Sequence, residues 1–468
     1  MSKGIVTTMV MVFGSLMILF LSGLVGFILI QHRASVQKIS YQEALQAAEA
    51  GIEYYKWHLD HFPQDFQDGT GVPGPYVHDY DDATGVVEGT FSLDITGITQ
   101  CGNTLGATIS STGWTDRFPG VQRTVRVAYV QPAVSDFAAI INEAVWAGSE
   151  KEIKGPFHSN GGIRMDAENK STVTSAKEDW LCTSSFGCDP STIEDGVFTT
   201  ANGEEELFIF PVTPFDFDGI TQDLVAIKNV AEPQPGGLGL GLYFPPSSTG
   251  KGYHVVFDDT NIDVYEIDDL DTVLAYTNEL GWFWEDTVID TESFLGTYAI
   301  PSGCGAIFFE DNVWLEGIVQ GKVTLVAADL LSPSVDRSIW LEGNIEYTTK
   351  DGSDGLVLIS QDDISIVLDS PDSMEISGIF IAQGGRYGRN YYNCAWYPAD
   401  CTKTYLELFG SVVSNERTGT KWSYTWGGIA SGYKDRERIF DSNQTSNPPP
   451  FLPNIVSEFH TQDWEELE

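Results

Sequence analysis

The stretch ALQAAEAGIEYYKWHL, from Ala44 to Leu59, predicts a strong helix. Its apolar residues recur at steps of three and four, which places them on one helical face. The residues of this face are Leu45, Ala48, Ile52, Tyr55 and Leu59. Glutamate, glutamine and lysine occupy the opposite side, so the helix is amphipathic. We expect its apolar face to pack against a small folded sheet.

The chain before this stretch is apolar enough to cross a membrane. Residues 5–30 contain no charged side chain, and a run of this length spans a hydrocarbon core of about 30 Å. No proline occurs between Met1 and Phe62, so we predict one helix over 5–62 with residues 5–30 transmembrane. No Ala-x-Ala site follows the run, and we do not interpret it as a removable secretory signal.

The composition indicates a mostly globular protein of two or three domains. Hydrophobic residues make up 42 % of the 468 residues, which suits large folded cores. Sixty-seven acidic and 25 basic residues give a formal charge of −42. Such a charge repels nucleic acid and anionic lipid, so we expect no nucleic-acid partner.

The six cysteines include two close pairs. Cys182 with Cys188 and Cys394 with Cys401 lie in loops rich in Gly, Asp and Pro. Disulfides are the prediction for both pairs, and they place the bulk of the chain outside the cytoplasm. Zinc, which needs four converging ligands, and free thiols are the alternatives. Cys101 and Cys304 remain as a third bridge that the sequence leaves open.

Alternating apolar residues predict a small antiparallel sheet over 63–131. The strands are expected at 89–97, 107–113 and 123–130, and Pro132 ends this domain. A β-rich head follows over 132–430, with an insertion at 176–300, and an extended tail is predicted over 431–468.

An internal repeat suggests the architecture of the head. The segments VWLEG, at 313–317, and IWLEG, at 339–343, lie 26 residues apart. A step of about this size with several short strands is typical of one coil of a right-handed β-helix. A β-sandwich is the alternative. The fold class is therefore α+β, a long helix and a small sheet followed by a mainly-β head.

The order of these segments resembles the type IV pilin superfamily over residues 1–131. The segment EALQAAEAGI, at 43–52, is most similar to the PilX-type minor pilins. The resemblance implies a leader of residues 1–4, cleavage between Gly4 and Ile5 by a prepilin peptidase, and N-methylation of Ile5. It also implies that the apolar helix waits in the inner membrane and then packs with other pilins in a fibre built by an assembly platform.

Several residues of the apolar run are candidates for helix packing. Ser22 and Gly26 form a pair of small residues four apart, and Gly14 and Gly23 would allow close approach, although glycines are also ordinary in membrane helices. Major pilins usually carry Glu at the position of Met9, where it offsets a neighbour's buried amino terminus. Met9 cannot do so, which favours a minor or tip subunit.

An aromatic loop is the candidate binding surface. The segment RYGRNYYNCAWYPADC, at 386–401, carries a predicted disulfide and five aromatic residues. They are Tyr387, Tyr391, Tyr392, Trp396 and Tyr397. A stapled aromatic loop suits a surface glycan or protein ligand, and core packing is the alternative.

We predict no enzyme activity and no resident cofactor. The Gly-rich segment GGLGLG, at 236–241, lacks the spacing of a phosphate-binding loop, and SGCG, at 302–305, lacks the spacing of a nucleophile elbow. Acidic clusters at 216–218, 258–263 and 351–354 are interpreted as solvated loop acids; calcium is the alternative, but none of them has EF-hand spacing. A membrane-anchored β-helix enzyme acting on carbohydrate and a generic anchored surface protein are the alternative functions.

Overall fold

A computed structural model describes residues 3–62, 65–81, 84–149, 151–217, 224–332, 335–424, 427–455 and 459–467. The chain divides into two compact units. The first comprises Met1–Thr99, Thr104–Val130 and Phe459–Glu468. The second, called the head below, comprises Gln100–Asn103 and Gln131–Glu458.

Helix α1, Lys3–His61, is unbroken over 59 residues, which corresponds to a length of about 88 Å. Its apolar first half is exposed, Ile5 by 69 % and Phe20 by 80 %. Ile5–His61 is long and apolar enough to span a membrane, and its most apolar window has a mean hydropathy of 2.5 with none of it buried.

The first unit carries a five-stranded antiparallel sheet in the order β1-β2-β3-β4-β32. Its strands are β1 Tyr76–Asp81, β2 Val87–Gln100, β3 Asn103–Thr115, β4 Phe118–Val130 and β32 His460–Leu467. The second half of α1 packs on this sheet and buries Ala48, Ile52, Tyr55 and Leu59, with Leu45 partly buried. The partners across the core include Phe91, Ile109 and Val127.

The prediction of an extended tail over 431–468 is wrong at both of its ends. Strand β31, Ile429–Ile439, belongs to the head, and β32 pairs with β4. The segment of β32 is polar and lacks apolar alternation, so its sequence does not resemble a strand. Ion pairs of Glu465 with Arg126 and of Glu466 with Arg123 attach it to the sheet.

In the described residues the head contains 27 strands, the short α-helix Leu224–Ala231 and four 3-10 helices, Val134–Asp136, Ser184–Phe186, Glu205–Leu207 and Ser442–Gln444. The elements up to the helix are β5 Ala139–Ile141, β6 Val145–Ala147, β7 Glu152–Ile153, β8 Phe157–Ser159, β9 Ile163–Met165, β10 Glu168–Asn169, β11 Val173–Ser175, β12 Asp179–Cys182, β13 Thr192–Asp195, β14 Val197–Phe198, β15 Phe208–Ile209 and α2 Leu224–Ala231.

The strands after α2 are generally longer. They are β16 Leu242–Phe244, β17 Tyr253–Asp259, β18 Asn261–Thr277, β19 Gly281–Ala299, β20 Ala306–Phe309, β21 Val313–Val319, β22 Lys322–Ala327, β23 Ile339–Tyr347, β24 Gly355–Ser360, β25 Ile364–Ile366, β26 Ser373–Ala382, β27 Tyr387–Gly388, β28 Tyr391–Tyr392, β29 Thr402–Ser414, β30 Lys421–Ser423 and β31.

Parallel pairing dominates the head. Ten strands pair in parallel in the order β16-β20-β22-β24-β26-β29-β5-β8-β11-β15. A second parallel ladder runs β17-β21-β23-β25-β27. The β-sandwich alternative requires antiparallel sheets, so this pairing contradicts it. The right-handed β-helix stays a prediction, because strand pairing does not specify the hand of the coils.

The predicted insertion at 176–300 needs correction. Strands β14 to β17 lie inside this range, yet they pair in parallel with other strands of the head. Strands β14 to β16 are two or three residues long, too short for alternation to identify them. The segment GYHVVFDD, at 252–259, does predict a strand, and it forms β17. β18 and β19 form a long antiparallel pair, and β18 also pairs with β17 and β28 of the head. The segment DGITQDLVAIKNVA, at 218–231, predicts a short helix; Leu224–Ala231 of it is α2, and residues 218–223 lie outside the described residues.

Candidate functional site

Five aromatic rings form a cluster on the head, called the aromatic surface. They are Tyr276, Trp282, Tyr391, Trp396 and Trp422. Neighbouring ring centroids lie 5.3 to 6.3 Å apart at interplanar angles of 60 to 85°. These are the edge-to-face arrangements that aromatic rings prefer. The cluster is therefore an ordered surface rather than a set of independent side chains.

Four strands and one loop position the rings. Tyr276 lies opposite Trp282 across the β18–β19 pair, and Tyr391 of β28 pairs with Tyr276. Trp422 comes from β30, and Trp396 lies in the loop after β28. Trp282 is 49 % exposed and Trp396 is 52 % exposed, so the cluster offers two indole rings to solvent.

The loop that carries Trp396 is held from several sides. A disulfide joins Cys394 to Cys401. The Tyr397 hydroxyl accepts a hydrogen bond from the Leu274 backbone N–H at 2.7 Å. The Trp422 indole N–H donates to the Arg389 carbonyl oxygen at 3.0 Å. The loop is therefore anchored to β18, and the segment just before β28 is anchored to β30. Both strands carry other rings of the aromatic surface.

A buried arginine supports the same loop. Arg389 is fully buried, and its guanidinium donates to the carbonyl oxygens of Leu368, Asp400 and Cys401. The guanidinium carbon of Arg389 lies 4.9 Å from the centroid of the Tyr392 ring. Arginine keeps its charge when buried, so these carbonyl contacts compensate for lost hydration and hold the backbone at the Cys401 end of the disulfide.

Glu285 lies beneath the loop in a polar network. The Tyr392 hydroxyl and the Asn390 amide each donate to its carboxylate at 2.7 Å. Burial raises the pKa of Glu285 to about 7, although these hydrogen bonds and the charge of Arg386 oppose the rise. Glu285 therefore changes its protonation near neutral pH, directly under the β28 strand.

The structure corrects the predicted surface site. Tyr387 is 2 % exposed and Tyr392 is fully buried, because both face inward from short strands, and neither can bind an external ligand. Tyr397 is half-buried, and its hydroxyl holds the loop by accepting the hydrogen bond from Leu274. Tyr391 and Trp396 belong to the aromatic surface.

Three residues of the aromatic surface come from elsewhere in the sequence. Tyr276, Trp282 and Trp422 lie far from the predicted loop. The segment GWFWED, at 281–286, offered a signal, because tryptophans two residues apart in a strand share one face. Trp284 on this face is 68 % exposed.

The residues predicted for helix packing lie on the exposed first half of α1. Met9 is 58 % exposed, and a Cβ atom added at Gly14, Gly23 or Gly26 would meet no atom within 4 Å. The Ser22 hydroxyl donates to the Ile18 carbonyl oxygen within the helix. With one chain in the structure, their packing against other subunits stays a prediction, as does cleavage between Gly4 and Ile5.

All six cysteines are paired. The structure contains the two predicted disulfides, Cys182–Cys188 and Cys394–Cys401. It also joins Cys101 to Cys304, the pairing that the sequence leaves open.

The acidic residues at 351–354 accept hydrogen bonds from backbone N–H groups. Asp354 accepts hydrogen bonds from the N–H groups of Gly321 and Thr349, and Asp351 accepts from Ser353. Within the described ranges, three or more His, Cys, Asp or Glu side chains nowhere converge to hold a metal ion. Asp218 lies outside those ranges.

The chain is similar in structure, at low sequence identity, to a solved pilin. No protein-family model matches the chain, and no curated protein matches it. The crystal structure of the competence-associated pilin ComZ from Thermus thermophilus is 14 % identical, covering 92 % of this chain and 98 % of that chain, with a TM-score of 0.30. A likeness at this TM-score carries no weight for the function of this chain.

Proposed function

We propose that the chain is a pilin-like structural protein, a minor or tip subunit of a type IV pilus or a related assembly system. One observation carries the proposal: a single helix has an exposed apolar first half and a second half buried on a folded sheet. Such a helix can anchor the waiting subunit in a membrane and later serve as a strut in a bundle of similar helices. The resemblance of residues 1–131 to minor pilins supports the same role.

The head presents the aromatic surface as an adhesive site for glycans. Sugar rings offer faces of C–H groups that stack on exposed indoles, while indole N–H and phenol O–H groups can bond sugar hydroxyls. Trp282 and Trp396 supply two half-exposed indoles within one cluster. The formal charge of −42 disfavours anionic polysaccharides. The ligand class that fits is therefore a neutral glycan.

The structural role is tested on the mature amino terminus. Mass spectrometry of the N-terminal peptide, from membranes and from sheared surface appendages, should find a chain that begins at N-methylated Ile5. A chain that begins at Met1 or Ser2 and occurs only in membranes would contradict the proposal and favour a generic anchored surface protein. Cross-linking to a major pilin separates these two functions independently.

The adhesive role is tested by binding of the full chain, in detergent, to a panel of neutral glycans. The variants Trp282→Ala and Trp396→Ala should each weaken binding at least about fivefold, since loss of an aromatic ring that stacks on a nucleic-acid base costs about 1–3 kcal/mol and a sugar ring offers a similar face. Trp464→Ala is the matched control, because Trp464 is 55 % exposed and lies on β32 in the other unit. Equal losses in all three variants would contradict the assignment.

The same panel tests the prediction of no enzyme activity. A β-helix enzyme acting on carbohydrate would release reducing sugar from a glycan, whereas an adhesive head binds glycan without changing it. Release by the wild-type chain would overturn the non-enzymatic assignment.

A further inference from the structure

The internal repeat places two carboxylates on neighbouring strands. Glu316 and Glu342 are the fourth residues of the segments VWLEG and IWLEG, and β21 and β23 pair in parallel with Leu315 opposite Leu341. Trp314 and Trp340, opposite each other, have centroids 6.1 Å apart. Like charges on neighbouring strands destabilise a sheet, so the repeated acid suggests a cation between them.

Glu316 and Glu342 line a pocket of about 360 Å³. Its walls also include Glu292, Asp369 and His254 as titratable groups, and Ile289 and Pro371 as apolar ones. No Lys or Arg lines it in the part of the chain that the structure describes. The pocket is thus acidic at its polar end and carries an apolar wall.

His254 provides a second sign of a ligand. The residue is only 8 % exposed. Its Nδ1 lies 2.8 Å from Glu292 Oε2, and because an ionised carboxylate only accepts, Nδ1 carries the proton. Nε2 lies 3.6 Å from Glu316 Oε1, and this buried atom makes no hydrogen bond to the described residues. In the neutral ring, an unused lone pair therefore lies at the wall of the pocket.

The carboxylates differ in charge state. Burial and the nearby charge of Asp369 raise the pKa of Glu342 to about 8, and its Oε2 atom has no hydrogen-bond partner among the described residues. His254 lowers the pKa of Glu316. Burial alone would lower the pKa of His254, but Glu316 and Glu292 outweigh it and raise it. Without a cation, protons therefore relieve part of the repulsion.

We propose that this pocket binds the primary ammonium group of an alkylamine between Glu316, Glu342 and Nε2 of His254. An ammonium group has three N–H donors and no acceptor, which matches two carboxylates and one imidazole lone pair. Ile289 and Pro371 suit the alkyl chain that follows the ammonium group. The ammonium source is a free polyamine or the lysine side chain of another molecule.

Binding should release protons. The charged and titratable groups that face His254 are Glu292 of β19, Glu316 of β21, Glu342 of β23, Asp369 after β25, and Tyr265, whose ring stacks on the imidazole at 5.6 Å. The ammonium group takes the place of protons on Glu342 and His254. Affinity should therefore rise with pH up to about 8, by about tenfold for each proton released and each pH unit.

Isothermal titration of the full chain in detergent tests the pocket with cadaverine, Nα-acetyl-lysine amide and tetramethylammonium. We expect about one cadaverine or lysine amide per chain, affinity that falls between pH 8 and pH 6, and at least tenfold weaker binding of tetramethylammonium, which has no N–H donor. Tighter binding of cadaverine would assign a free polyamine, and tighter binding of the lysine amide would assign a protein side chain.

The variants Glu316→Gln and Glu342→Gln should each weaken binding at least tenfold, since each removes a charge-assisted hydrogen bond. Glu206→Gln removes an equal charge from an exposed site of the head and should leave affinity unchanged. The pH dependence of the wild-type chain needs no variant and so does not depend on variant folding. Absence of amine binding, equal binding of tetramethylammonium, equal loss in Glu206→Gln, or tighter binding of Ca²⁺ than of every amine would overturn the proposal.

Discussion

The backbone of Gly113 on β3 packs directly against the carbonyl oxygen of Ala44 on α1. A Cβ atom added at Gly113 would overlap this oxygen and the backbone nitrogen of Ala48. Both overlapping atoms are backbone, so they cannot move aside as a flexible side chain could. The close approach of helix and sheet in the first unit therefore requires glycine at this position.

The first prediction is that Gly113→Ala destabilises the first unit. Because the helix must shift away from the sheet, we expect a loss of about 1–3 kcal/mol in the free energy of unfolding, measured by urea unfolding followed by circular dichroism. Gly120→Ala on β4 is the control, since a Cβ atom there meets nothing within 4 Å. Equal destabilisation by the two variants would contradict the close helix–sheet contact.

A second prediction separates binding from stability with two disulfides of similar size. Cys394 and Cys401 are 7 residues apart and Cys182 and Cys188 are 6 apart, so replacing either pair by serine should cost a similar amount, about 2 kcal/mol. Only the double variant Cys394→Ser and Cys401→Ser should weaken glycan binding, because the Cys394–Cys401 disulfide holds the loop that carries Trp396. Glycan titration alongside urea unfolding measures both effects. Equal binding by the two variants would show that the disulfide does not order the aromatic surface.

The third prediction concerns pH. The pKa of Glu285 in the folded head is about 7 against 4.5 in the unfolded chain, so the folded state binds more protons between these values. Stability should therefore fall as pH rises from about 4.5 to 7, by on the order of 3 kcal/mol from this residue. Glu285→Gln should reduce this slope in urea unfolding, whereas Glu279→Gln, at an exposed position, should not. A wild-type slope in the Glu285→Gln variant would contradict the prediction.

The fourth prediction tests Met9 and rests on the proposed pilin-like role. An acid at this position would offset the amino terminus of a neighbouring subunit, so Met9→Glu should raise the number of copies in sheared appendages, counted by quantitative mass spectrometry. Met11→Glu is the control, because it adds the same charge to the apolar run. Equal incorporation of the two variants would mean that position 9 does not limit stacking.

Local patterns predicted the helix and the disulfides because each depends on residues close in sequence. The spacing of Leu45, Ala48 and Ile52 defines a helical face wherever that face later packs. Two close cysteine pairs likewise need only a short loop to meet. The strand β32 shows the limit of such patterns, since its polar sequence becomes a strand only through pairing with β4.

The candidate sites depended on contacts that no local pattern contains. Burial of Tyr387 and Tyr392, next to the partly exposed Tyr391, follows from which way each short strand faces in the head. Trp282 joins Trp396 because β18 and β28 pair across a long stretch of chain. The repeat VWLEG/IWLEG was visible in the sequence, but only the structure adds His254 and Glu292 to its two acids.

The sequence by itself determined an apolar helix continuing into an amphipathic one, an acidic β-rich head and two short disulfides, because periodicity, charge and spacing are properties of neighbouring residues. Only the tertiary structure decided the parallel pairing of the head, the Cys101–Cys304 bridge, the aromatic surface and the acidic pocket. Each of these joins residues that are distant in sequence, and their meeting is selected by packing of the whole chain.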